Sequence, residues 1–216
     1  QKMFMKRENI AERGIWTAKK RYILNVWDSE GVRYDEPKLK MMGIEAVKSS
    51  TPAPCRTMIK DALKLMMRGT EDEVIDFIEN ARKEFKSLPP EQIAFPRTAS
   101  NVQKYKSSSD IYVKGTPIHI RGALLFNYYL KKKKLTNKYS AIGNGEKIKF
   151  LYLKKPNIIQ ENVLSFIQDF PTEFGLSQYI DYELQFEKSF VYPLKAILDS
   201  IGWEVEKKVT LESFFS

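Results

Sequence analysis

Residues 19–34, KKRYILNVWDSEGVRY, are the stretch that decides how the first part of the chain folds. Three adjacent cations precede a run of β-branched and aromatic residues, which favours a strand. Asp28-Ser29-Glu30-Gly31 is typical of a turn, and strand-forming residues resume at 32–34. The segment is therefore predicted to be a β-hairpin.

The cations at the head of this hairpin are candidates for contact with a polyanion. Since side chains alternate along a strand, Lys20 and Tyr22 are expected on one face and Lys19 and Arg21 on the other. Cations at this spacing suit a phosphate backbone and the groove beside it. A basic edge strand is the alternative, because lysines discourage the addition of another strand.

Positive charge is unevenly distributed along the 216 residues, whose net charge is +9. Residues 1–60 carry 13 lysines and arginines against 7 acidic residues, and residues 96–155 carry 14 against 2. Residues 61–95 carry 5 against 8, and residues 156–216 carry 4 against 10. Two basic blocks separated by an acidic one predict a surface that gathers a polyanion.

Composition also excludes several classes of protein. A single cysteine, Cys55, cannot form an internal disulfide and fits a reducing cytoplasm. No apolar run approaches membrane-spanning length. The only histidine, His119, has no matching nucleophile, and one His with one Cys makes no structural zinc site. We therefore expect no catalytic and no metal-binding residues in this chain.

The rest of the chain predicts helices with one small β-element. Helices are expected after Ser50-Thr51-Pro52, after a Thr70/Glu73 capping box, and from Pro117. Residues 147–153 alternate as a strand does. A long helix is expected over 182–201, kinked at Pro193 and ended by Gly202.

Several blocks of sequence resemble T-even-type phage family B DNA polymerases. RGIWTAKKRY at 13–22, EPKLKMMG at 36–43 and KSSTP at 48–52 resemble the end of the palm. ASNVQKY at 99–105 and IHIRG at 118–122 resemble the thumb, and TLESFF at 210–215 resembles the clamp-binding end. The resemblance implies an α+β fold: a palm-derived antiparallel hairpin, then a mostly helical thumb with a small β-element. It divides the chain into a palm piece (1–43), a thumb (44–206) and a clamp-binding tail (207–216).

The resemblance implies that this chain holds primer–template duplex without reading its sequence. The DNA-binding residues carried over from the family motifs are Lys19, Lys20, Arg21, Tyr22, Ser100, Asn101, Lys104, Tyr105, Lys114, His119 and Arg121. Core packing is the alternative for Tyr105. Trp16 and Trp27 are expected to pack rather than to stack on bases.

The catalytic carboxylates of the family are absent from this sequence. Its two metal-binding aspartate motifs, one ending Ser-Leu-Tyr-Pro-Ser and one reading Asp-Thr-Asp-Ser, do not occur here. We therefore expect no nucleotidyltransferase activity from this chain alone. Mg²⁺ is implied for the complete polymerase, with the polymerase portion that carries those aspartates as a partner on the same or a separate chain.

The end of the sequence implies a second partner. Leu211, Phe214 and Phe215 have the Leu-X-X-Phe-Phe spacing of a sliding-clamp-binding peptide, although Lys208 stands where many such peptides carry Gln. Folding back onto the chain's own core is the alternative. For the chain as a whole, the rivals are an independent sequence-nonspecific nucleic-acid-binding module and a protein-interaction scaffold.

Overall fold

The computed structural model describes residues 4–44 and 48–207, and these form an α+β fold, as predicted. They cluster into two compact units. The first comprises residues 4–44, 48, 56–81 and 190–207, and the second comprises 49–55 and 82–189. The units are thus not consecutive in sequence. The palm, thumb and tail boundaries stay a prediction.

The first unit contains a three-stranded antiparallel sheet. Its strands are β1 (Asn9–Ala18), β2 (Arg21–Ser29) and β3 (Val32–Met42), in that spatial order. The predicted hairpin is confirmed as β2 and β3, and the Asp28 carboxylate accepts a hydrogen bond from the Gly31 N–H at 2.9 Å in its turn. Strand β1 had no pattern of its own in the sequence.

An arginine on β1 satisfies the end of the first helix, α1 (Ala53–Met66). The guanidinium of Arg13 donates to the carbonyls of Met66 and Met67, each at 3.3 Å. The last carbonyls of a helix have no partner inside it and carry partial negative charge, so a cation there is stabilising. Ile15 and Ile23, a cross-strand pair of this sheet, are buried.

The capping box predicted at Thr70 and Glu73 is present at the start of α2 (Glu71–Ser87). The Thr70 N–H donates to the Glu73 carboxylate at 2.8 Å, and the Glu73 N–H donates to the Thr70 hydroxyl at 3.4 Å. Both side chains thereby satisfy backbone donors that lack helical partners. A short helix, α3 (Pro90–Ile93), begins three residues after α2 ends.

The second unit is built on another three-stranded antiparallel sheet. Strands β4 (Phe95–Thr98), β5 (Lys147–Tyr152) and β6 (Val163–Phe166) lie in that order, and α4 (Ile118–Lys132) packs against β6. The contact is closest at Gly122, where an added Cβ would lie 2.4 Å from the Ser165 hydroxyl oxygen. That hydroxyl donates to the His119 carbonyl at 2.8 Å.

The long helix predicted over 182–201 is present as one continuous helical run. It comprises α5 (Tyr182–Phe186), a π-helical turn (Glu187–Val191), α6 (Tyr192–Leu198) and a final 3₁₀ turn (Asp199–Ile201). The π turn directly precedes Pro193, whose nitrogen cannot donate to the helix. Gly202 ends the run in the left-handed conformation, with φ of 75°. Within the described ranges, no helix is long and apolar enough to cross a bilayer.

The close approach at Gly122 makes a testable prediction. Gly122→Val should lower the free energy of unfolding by about 2–3 kcal/mol, because the new side chain would overlap β6 backbone and force α4 away. Chemical denaturation measures the change. Gly143→Ala is the matched control, since a Cβ there meets nothing closer than 3.9 Å. Equal stability of the two variants would contradict this packing.

Candidate nucleic-acid interface

The hairpin patch, which we define as Lys19, Lys20, Arg21 and Tyr22, lies in the first unit. Lys19 and Lys20 form the turn between β1 and β2, and Lys20 has a left-handed φ of 61°. The expected alternation of faces is therefore wrong for these two lysines, because turn residues do not follow the two-residue period of a strand. The strand begins at Arg21, and Tyr22 pairs with Trp16 on β1 and with Met42 on β3.

A glycine at the end of β3 allows this turn to lie close to the sheet. Gly43 has φ of 66°, and a Cβ there would lie 2.6 Å from the Lys20 carbonyl oxygen. The backbone of the patch is thereby held against the end of β3, while the side chains of Lys19, Lys20 and Arg21 are exposed. Three cations are presented to solvent from a backbone with a defined shape.

The two tryptophans of the sheet behave differently. Trp27 is half-buried, and its indole N–H donates to Glu12 at 3.3 Å. Trp16 is 66% exposed, with its ring lying over Gly14 on the same strand. The Trp16 ring thus packs on Gly14 while most of the side chain stays exposed. Packing rather than base stacking stays a prediction for Trp16.

The loop patch lies in the second unit, and we define it as Ser100, Asn101, Lys104, Tyr105, Lys114, His119 and Arg121. Its first four residues lie in the loop that follows Ala99. Its backbone is tied to the turn before β5: the Ala99 N–H donates to the Glu146 carbonyl, and the Gly145 N–H donates to the Ala99 carbonyl at 2.6 Å. A 3₁₀ turn (Val102–Tyr105) follows Asn101.

In this loop the side chains of Ser100, Asn101 and Lys104 are exposed, and Tyr105 is half-buried. The Lys104 ammonium lies 5.7 Å from the centroid of the Tyr105 ring. Both alternatives for Tyr105 therefore stay open: a half-buried ring can pack and present an edge at once.

The structure brings Lys114 and His119 into the same unit as this loop. The Val113 N–H donates to the Tyr105 carbonyl at 3.0 Å, and the exposed Lys114 is the next residue after Val113.

His119, on the first turn of α4, is half-buried. Burial, and to a smaller extent the charge of Arg97, lowers the pKa of its imidazole. A lowered pKa favours the uncharged imidazole, which can offer a phosphate a hydrogen bond.

Arg121 is held by neighbouring side chains. Its guanidinium donates to the Asn162 side-chain carbonyl in a short hydrogen bond and lies 5.8 Å from the centroid of the Tyr112 ring. The Tyr112 hydroxyl donates in turn to the Glu161 carboxylate. Burial, followed by this hydrogen bond, raises the pKa of Tyr112. Arg121 thus joins α4 to the loops that contain Tyr112 and Asn162.

Sequence reasoning missed the partners that fix these loops. Tyr112, Glu161 and Asn162 carry no local pattern, and Asn162 is 41 residues from the arginine that it binds. Arg97, in the same basic block, was also missed: it donates to the carbonyls of Ser50 and Pro96, each at 2.8 Å.

Lysines 131–134 are exposed at the end of α4, where cations complement the helix dipole. Leu211, Phe214 and Phe215 lie outside the described residues. Over residues 4–44 and 48–207, no three His, Cys, Asp or Glu side chains are grouped so that they could hold a metal ion.

No protein-family model matches the chain. Two curated proteins do match it, and both are DNA-directed DNA polymerases. That of Enterobacteria phage T4 is 32% identical over 206 residues, which are 94% of this chain and 22% of the relative. That of Escherichia phage RB69 is 35% identical over 226 residues, covering 99% of this chain and 24% of the relative. The chain is a fragment of a T4-type DNA polymerase.

The match confirms the family resemblance and shows how much of the relatives' length this chain covers. This T4-type fragment spans about a quarter of the length of the curated relatives. The aligned region covers almost the whole chain, so it includes both the hairpin patch and the loop patch. Individual roles for the residues of these patches stay predictions.

The bonding of Arg121 in this T4-type fragment makes a second testable prediction. Arg121→Met should lower the free energy of unfolding by about 1–3 kcal/mol, because Asn162 loses a charge-assisted hydrogen bond in a half-buried position. Thermal and chemical denaturation measure the loss. Lys104→Gln, at an exposed position of the same unit, should stay within about 0.5 kcal/mol of the parent. If the two variants were equally stable, the described bonding of Arg121 would be wrong.

Proposed function

We propose that this chain is the C-terminal part of a family B DNA polymerase, where it grips primer–template duplex and tethers the enzyme to a sliding clamp. The observation that carries the proposal is the match of nearly the whole chain to two DNA-directed DNA polymerases. The two patches supply exposed groups suited to phosphate: lysine ammonium groups and a serine hydroxyl. Such groups hold a duplex without reading its bases.

In this proposal the hairpin patch lies near the newly formed base pairs. The minor groove presents acceptors whose pattern is nearly the same for every correct pair. A lysine or tyrosine there would bind the minor-groove acceptors of every correct base pair. At a distorted, mismatched pair the acceptor would be displaced and the hydrogen bond would be lost. The loop patch would hold the duplex backbone farther from the primer end. His119, whose lowered pKa favours the uncharged imidazole, would contribute a hydrogen bond rather than charge.

Catalysis is proposed to require the polymerase portion that carries the metal-binding aspartates, with Mg²⁺ as its cofactor. This chain supplies neither aspartate motif. Its contribution would be to position the primer end, since correct placement of reacting groups is a large share of any rate enhancement.

Duplex binding should depend steeply on salt. Each neutralised phosphate releases counterions and contributes about −0.9 to the slope of log K against log salt concentration. Lys104→Gln should reduce the magnitude of that slope by about 0.9, measured by fluorescence anisotropy on duplexes of two unrelated sequences. Lys83→Gln, an exposed lysine on α2, is the control and should leave the slope unchanged. Binding that is indifferent to salt, or a Lys104 variant that matches the parent, would contradict the proposed grip.

Primer extension tests whether catalysis requires the polymerase portion that carries the two aspartate motifs. The purified chain with Mg²⁺, primer–template and all four nucleotides should extend nothing. Adding a polypeptide that carries the two aspartate motifs should produce extension, more than that polypeptide gives alone. Extension by this chain alone would overturn the proposal. Duplex binding with no gain in extension would favour an independent nucleic-acid-binding module.

The tail is tested by a single variant. Phe215→Ala in the full chain should weaken binding to the cognate sliding clamp by about 1–3 kcal/mol, the usual range for a buried aromatic anchor. Its melting temperature should match that of the parent, because a terminal clamp plug would support little of the core. A clear fall in melting temperature together with no clamp binding by the parent would instead mean that the tail packs on its own chain.

A further inference from the structure

A cleft in the first unit has features that the proposed grip does not use. It is about 440 Å³ in volume and is lined by residues of β2, β3 and α1 and by Arg68 just after α1. Its lining includes one buried amide, that of Asn25, and four cations: Lys38, Lys60, Lys64 and Arg68. None of these residues belongs to the hairpin patch or the loop patch.

The side chain of Asn25 is the unusual member of this lining. It is 3% exposed and sits in the middle of β2, opposite Arg13 on one side and Leu39 on the other. Its amide nitrogen is fully buried and, among the described residues, has no hydrogen-bond partner. An unmet buried donor costs about 1–3 kcal/mol, which an apolar side chain of similar size would avoid. A ligand with an acceptor oxygen in the cleft would meet this unpaired donor, just as an ordered water would.

The direction of Asn25 follows from the strand pairing. Directly opposite residues of antiparallel strands share a face, so Asn25 and Arg13 lie on the same side of the sheet. Arg13 reaches the last carbonyls of α1, at Met66 and Met67. The face that carries the Asn25 amide is therefore the face turned to α1.

The cations of the cleft form a row along that helix. Lys60 and Lys64 are four residues apart and so share one face of α1, and Arg68 follows two residues after the helix ends. All three are exposed. Lys64 also forms an ion pair with Asp61 at 3.0 Å, and Glu36 lines the opposite wall, so the cleft is not without acidic groups. The Lys38 ammonium lies 4.0 Å from the centroid of the Tyr34 ring, so the charge of the cleft comes from Lys60, Lys64 and Arg68. Three cations against these two carboxylates leave it positive.

We propose that this cleft is a phosphate-binding site, in which the Asn25 amide donates to a phosphate oxygen and Lys60 and Arg68 supply charge. A tetrahedral anion with several acceptor oxygens satisfies a buried N–H donor and a row of cations at once. An apolar ligand would leave the amide unmet, and a cationic one would be repelled. The phosphate is either free, as in a nucleotide, or part of a nucleic-acid backbone. The site is independent of the duplex grip proposed above.

The test follows the Asn25 side-chain amide by nuclear magnetic resonance while inorganic phosphate is added to the full chain at low ionic strength. The amide signals should shift and saturate. Lys60→Gln should weaken phosphate binding about tenfold, the loss expected for one charge-assisted contact. Lys83→Gln, an exposed helix lysine outside the cleft, is the control and should bind phosphate as the parent does. No shift, a shift that never saturates, or equal weakening by both variants would overturn the proposal.

A second variant separates a ligand-binding amide from a structural one. Asn25→Leu should keep or raise the melting temperature, because it removes an unmet buried donor, and should abolish saturable phosphate binding measured by calorimetry. A large fall in melting temperature would mean that the amide serves the fold, and the proposal would fail.

The source of the phosphate is decided by two further titrations. A deoxynucleoside triphosphate that shifts the Asn25 amide, while a short duplex does not, identifies a free phosphate. A duplex that shifts it identifies a backbone phosphate. If neither does so, the site has no relevant ligand and the proposal is overturned. Lys83→Gln should alter none of these shifts. The titration with inorganic phosphate contains no duplex, so failure of the duplex grip and failure of this site are distinguishable.

Discussion

The position of α4 on β6 depends on residue 122 having no side chain. The backbone nitrogen of Ser165 would lie only 2.7 Å from a Cβ there, and the Ser165 hydroxyl donates to the His119 carbonyl one turn earlier. Because α4 is fixed against the strand in this way, the first turn of the helix has a set height and rotation above the sheet. His119 and Arg121 take their positions from that turn, and Arg121 in turn holds the loops at Tyr112 and Asn162.

Four arginines in the described part of the chain differ in their contacts from eight exposed lysines. Arg13, Arg82, Arg97 and Arg121 all bind groups within their own unit. Arg82, for example, donates to Glu183 at 2.7 Å and to Glu187 at 3.1 Å. A planar guanidinium with several fixed donors suits such sites. The lysines at 19, 20, 104, 114 and 131–134 are exposed instead, where a compact, mobile charge suits a ligand whose outline varies with sequence.

Local patterns allowed much of the fold to be predicted. The capping box at Thr70, the helix beginning after Pro117 and the helix stop at Gly202 are each specified by residues within one turn of each other. Three strands were missed: β1, β4 and β6. Strands β4 and β6 have four residues each, and β6 is buried on both faces, so neither shows alternation. Lys19 and Lys20 were assigned to the strand because nothing local distinguishes a left-handed lysine from an extended one.

The sequence predicted which region is basic, but it did not predict how the residues of that region are arranged. The charge of residues 96–155 marked the region, but the bonds that shape it join residues far apart in sequence, such as Tyr112 to Glu161 and Arg121 to Asn162. The Asn25 amide gave no sequence pattern at all, since one polar residue inside a strand becomes unusual only once its surroundings are known to be buried.

Finally, the ties between the loop at Ala99 and the turn at Gly145 bear on the entropy of association. Two backbone hydrogen bonds, and one from the Val102 N–H to the Asn144 side chain, set the shape of this loop in the free chain. Ordering a backbone residue costs about 1–2 kcal/mol, and here folding has already met that cost. Association with a polyanion through this loop would therefore show only a small heat-capacity change. The large heat-capacity change that accompanies folding on binding would be absent.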